Sequence, residues 1–126
     1  MSLNGEIRTL APELAAAAQK ELDDWVQDED GVDVEFGAGG VCDAISRRLA
    51  DVIATHIEAV EIADGGWEGD DHAYLLCTRG AESVVVDLPP HLYEVGGGYS
   101  WRKIEGVRLT AQDVLIEDIE IPLTLQ

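Results

Sequence analysis

Positive charge is what this chain has least of. Eight Lys and Arg residues stand against 26 Asp and Glu, a formal net charge of -18 at pH 7. A surface of that sign repels phosphate backbones and anionic headgroups, so neither nucleic acid nor a membrane is expected as a partner; a basic protein is compatible. Cysteine is equally scarce. Cys42 and Cys77 make neither a disulfide framework nor a CxxC pair, which points to a reduced compartment. The first residues carry no basic stretch followed by an apolar one, so no secretory signal is expected and a cytoplasmic location is. No apolar run approaches the roughly 18–20 residues that cross a bilayer. Close-spaced Cys and His ligand pairs are missing, so the sequence predicts no metal site and no cofactor. The acidic run DEDGVD at 28–33 does not rescue a cation site. In no frame does it set acids at ligand positions 1, 3 and 5 with glycine at 6 and glutamate at 12.

The elements that are present read in a simple order. Pro12 followed by ELAAAAQKELDDWVQ predicts a helix, with proline in its first turn and an apolar row at Leu14, Ala18, Leu22 and Trp25. A turn-rich acidic stretch and the glycine loop GAGG at 37–40 follow. A second helix is expected from Cys42 to His56. At 100° per residue, Ile45, Leu49, Val52, Ile53 and His56 fall within roughly 60° of Cys42, which therefore sits on the inward stripe at the first turn. After His56 the period changes to two. EAVEIA (58–63), HAYLLC (72–77), SVVVDL (83–88), YSWRKI and VLIEDIEI read as short strands between glycine and proline turns. At 126 residues the chain is one domain, 1–126. Helices first and strands afterwards give an α+β fold with N-terminal helices packed on an antiparallel sheet.

Three residues explain one another. A thiol at a helix N-terminus gains from unpaired amides and the macrodipole, which favour thiolate, while Gly39 and Gly40 leave its approach open. Asp43 opposes this, so Cys42 needs an imidazolium nearby. His72 opens a strand directly after Asp70 and Asp71, acids that favour its protonated form. Asp87 is an acid inside an apolar strand, where charge is costly without a partner. Pairing HAYLLC with SVVVDL about a turn at Arg79-Gly80 sets His72 opposite Asp87, as a Cys–His pair with an orienting acid requires.

This order, G-G-x-C opening a helix, H-A-Y-L-L opening a strand and V-V-V-D-L on the next, resembles the papain-like superfamily. Within it the chain looks most like transglutaminase-like cysteine proteases. It is also similar to arylamine N-acetyltransferases around Gly39-Gly40-Val41-Cys42 and His72 with Asp87, and more faintly to small phage and prophage proteins of the superfamily. The likeness covers roughly residues 36 to 90. It implies a papain-like core in which Cys42 is the nucleophile, His72 the general base and acid, and Asp87 its orienter. The expected function is that of a small cysteine peptidase, amidase or acyl transferase. The alternative is a non-catalytic binding or structural module on the same fold.

The chain departs from those families in two places. Phe36 stands where papain-type enzymes carry an oxyanion glutamine, and Ala38 where the acetyltransferases carry arginine. The Cys42 amide beside Gly40, with an indole of Trp67 or Trp101, is the remaining source of oxyanion donors. In LPPHLYEVGGGYSWRKIEG (88–106) aromatics and glycines alternate (Tyr93, Tyr99, Trp101); the stretch reads either as a loop lining a substrate pocket, with Tyr99 a candidate contact, or as a tight turn with Tyr99 and Trp101 covering the core. Cys77 reads as core, His56 as a core or helix-end residue, and His91 as a surface residue.

Overall fold

The computed structural model describes residues 1–29, 34, 41–66, 73–97 and 100–119. It is an α+β arrangement of three helices and an antiparallel sheet. Helix α1 (Leu3–Thr9) is the element the sequence does not announce: Asn4 and Gly5 are poor helix formers. It is fixed at both levels. The Ser2 hydroxyl caps it by accepting from the Gly5 amide at 3.0 Å, and Leu3 and Ile7 are fully buried. The Leu3 amide donates to Glu82 Oε1 at 2.9 Å, tying the helix to the sheet. Helix α2 (Ala11–Asp24) has Pro12 in its first turn and buries Leu14, Ala15, Ala18 and Leu22. Helix α3 (Val41–His56) packs on α2. Arg48 Nε donates to Glu21 Oε1 across that contact at 2.6 Å.

The chain leaves α3 through a turn in which Ala59 takes φ 59°, and β1 (Glu61–Gly66) starts three residues later than its apolar pattern suggests. Strands β2 (Ala73–Arg79) and β3 (Glu82–Asp87) form a hairpin closed at Gly80 (φ 61°) and Ala81. Beyond the short helical turn Pro90–Leu92 lies a separate two-stranded ribbon, β4 (Glu94–Gly97) and β5 (Ser100–Lys103). A second turn, Ala111–Asp113, carries a capping box between Thr110 and Asp113 and leads into β6 (Leu115–Asp118). The sheet order is β1-β2-β3-β6, antiparallel throughout.

Alternation along these strands sends Leu75 and Cys77 of β2, Val84 and Val86 of β3 and Ile116 of β6 into the core, against Ile45, Leu49 and Ile53 of α3 and the buried rows of α1 and α2. Trp25 and Tyr93 close one end of this core edge-to-face, with ring centroids 6.2 Å apart. The ribbon is sewn to the residues just past α2 by polar bonds: Lys103 Nζ donates to the Trp25 carbonyl at 2.9 Å, and the Lys103 amide to Gln27 Oε1 at 2.8 Å. Among the described residues no helix is long and apolar enough to cross a membrane.

Candidate active site

Cys42 is the second residue of α3, in its first turn. On the helical wheel it falls among the core residues Ile45, Leu49 and Ile53, as the sequence pattern requires. It is nonetheless only half-buried, because the stripe runs out at the helix end. A thiol there stands where the first turn leaves its amides unpaired. Asp43 shares that turn. The neighbouring core position, Val41, is buried to 1% exposure, so the helix start is anchored while Cys42 stays half-buried.

His72, Gly40, Trp67 and Tyr99 lie outside the described residues, as does the side chain of Trp101 on β5. Asp87 is the last residue of β3 and half-buried. The hairpin register differs from the one the turn at Arg79-Gly80 implies. Arg79 pairs with Glu82 and Leu75 with Val86. One step further brings Asp87 level with Tyr74, two residues along β2 from the expected position. The cause is local: the turn is made by Gly80 and Ala81, with glycine taking the left-handed conformation, so its centre moves one residue along the chain. Alternation also sets Asp87 with Val85 on the sheet face opposite Val84 and Val86, which point to the helices.

Tyr93 belongs to the stretch 88–106 that reads in the sequence either as a substrate pocket or as a turn covering the core. It follows the turn Pro90–Leu92, is 1% exposed, and its hydroxyl has no hydrogen-bond partner among the described residues. Burial pushes its phenol well above the ordinary range, and the charges of Cys42, Glu94 and Asp87 push it further. The ring thus lies in the field of both the helix-start thiol and the strand-end carboxylate. Its only sequence signal is an aromatic set just beyond Pro89-Pro90.

The other sulfur and histidines fall into place simply. Cys77 is fully buried, and burial raises its thiol to about 11. His56 is exposed at the end of α3, with Nδ1 against the Val52 carbonyl at 2.9 Å and Nε2 3.3 Å from Glu13; it is a helix-end group, not a core one. His91 is exposed on the turn after Pro90. Comparison of the chain with protein-family models, curated proteins and solved structures finds no match.

Proposed function

We propose that this protein is a small cysteine hydrolase or acyl-transfer enzyme with a papain-like core, acting on an amide, isopeptide or thioester. The observation that carries the reading is the position of Cys42: first turn of a core helix, on the buried stripe, yet half-open. A nucleophile needs anchoring below and access above, and a half-buried place at the start of a core helix is compatible with both. In this reading Cys42 attacks the carbonyl and its own amide holds part of the developing oxyanion. His72 takes the thiol proton and returns it to the leaving group, and Asp87 fixes the imidazole tautomer.

A second reading, a non-catalytic module that binds a basic partner through its acidic surface, is favoured by the alternation that turns Asp87 away from the helix-covered face. The pH dependence of Cys42 alkylation separates the two. A thiolate–imidazolium pair gives fast labelling that persists below pH 7 and disappears in His72→Ala. Labelling that rises only near pH 8.5, the value of a free thiol, and is indifferent to His72→Ala assigns the protein to the second reading.

A further inference from the structure

A cavity of about 210 Å³ opens between α2 and the segment after β5, lined by Leu22, Tyr93, Ile104 and Val107 with Gln19, Asp23, Lys103, Glu105 and Arg108 around them. Its polar groups do not saturate one another. Gln19 is spent holding the wall: its Oε1 accepts from the Leu109 amide at 2.8 Å, and its Nε2 donates to the Val107 carbonyl at 3.0 Å and to Asp23 Oδ1 at 2.9 Å. The others have capacity left among the described residues. Lys103 Nζ uses one of its three donors, on the Trp25 carbonyl. Arg108 makes both of its bonds, to Asp23 Oδ1 and the Val107 carbonyl, through Nη1, leaving Nε and Nη2. Asp23 keeps Oδ2 and Glu105 keeps its whole carboxylate.

We propose that this cavity binds a small zwitterion of α-amino-acid size, its carboxylate on Lys103 and Arg108 and its ammonium on Asp23 and Glu105. Two of the chain's eight basic residues line the hollow together with two acids, Arg108 already paired with Asp23 at 3.3 Å, and this mixture of signs favours a ligand that carries both. The volume corresponds to roughly seven waters at ~30 Å³ each, enough for a residue such as alanine. The ammonium and carboxylate come from a free amino acid or from a short peptide. The site does not depend on the reading of Cys42, since occupancy is measured without turnover.

The test is an amide NMR titration of the full chain with alanine, alanylalanine, N-acetylalanine and alaninamide, following Lys103, Gly106 and Arg108. Saturable shifts with alanine or alanylalanine in the millimolar range, at least about fivefold tighter than with either singly charged analogue, support the site. Which of the two zwitterions binds tighter identifies the source. Arg108→Gln and Glu105→Gln, both at exposed positions, are each expected to weaken binding about two- to fivefold. Absence of saturation with both zwitterions overturns the proposal. So does equal binding of N-acetylalanine or alaninamide, or affinity unchanged in both charge variants.

Discussion

Two cysteines on facing elements show how position decides what a thiol can do. Cys42 and Cys77 both lie on apolar rows, one on a helix stripe and one on the core face of β2. Cys77 sits mid-strand between Ile62 of β1 and Val84 of β3 and is itself fully buried, so no path leads to its sulfur. Cys42 occupies the same kind of row but at the end of its element, where the row meets the surface. The same side chain is therefore filler in one place and accessible in the other. The element boundary makes the difference, not the local composition.

Alkylation of the native protein is the largest effect expected from this contrast. A small reagent is expected to reach half-buried Cys42 without unfolding but Cys77 only through opening of the sheet. For a domain of ordinary stability, that opening slows Cys77 by on the order of 10³-fold or more. Mass spectrometry after a timed pulse of iodoacetamide reads the two rates separately. Comparable rates would mean that the β2 core opens far more readily than its burial implies. Stability sharpens the same comparison at a smaller scale. Cys77→Ser sets a hydroxyl beside Leu75, Val84 and Val86 and is expected to cost about 1–3 kcal/mol. Cys42→Ser, at a half-exposed helix start, is expected to change stability by under about 0.5 kcal/mol. Denaturant midpoints of the two variants decide it, and equal losses would place Cys42 in the core.

The pH dependence above neutrality follows from the raised thiol of Cys77. Unfolded, it ionises near 9; folded, it holds its proton to about 11. Between those values the unfolded state binds fewer protons, so stability falls as pH rises, by on the order of 2–3 kcal/mol across the window. Tyr93, also raised by burial, adds a loss of the same sign from about pH 10. Cys77→Ala should flatten the first part of the decline and leave the second. An unchanged slope from pH 9 to 10 would remove the thiol from the account.

How far the sequence carries can be seen on these same elements. Helix α3 and the half-placed Cys42 follow from period alone, because Ile45, Leu49 and Ile53 repeat on one face. Most strands follow from alternation, and with them the burial of Cys77, but β4 lies in a stretch that reads as a loop and β1 starts three residues into its apolar pattern. Helix α1 was not legible, since its stability comes from docking Leu3 and Ile7 and from a bond to Glu82 far along the chain. The β2–β3 register missed by one turn residue because Gly80 sets the turn centre through its backbone conformation, which composition leaves open. The hollow lined by Lys103 and Arg108 is not legible for the same reason as α1: it forms where the segment after β5 packs on α2, a contact between distant segments.

The smallest effect lies at the acid end and tests whether surface and core shifts behave differently. Glu6 on α1 pairs with Arg79 at the end of β2, and the hydrogen bond from that guanidinium holds its carboxyl below the usual 4.5. A depressed folded value means that the pair stabilises the fold above the unfolded value and that this contribution is lost as pH falls through the folded one. Glu6→Gln is therefore expected to make the decline below pH 4.5 slightly shallower while lowering neutral-pH stability a little. Both groups are solvent-accessible, so the contribution is screened and should fade in about 1 M salt, where the Debye length is about 3 Å. The Cys77 decline above pH 9 comes from burial and should persist in the same salt. Salt that erases both, or neither, would mean that partner charge and burial are not the separate causes assigned to them here.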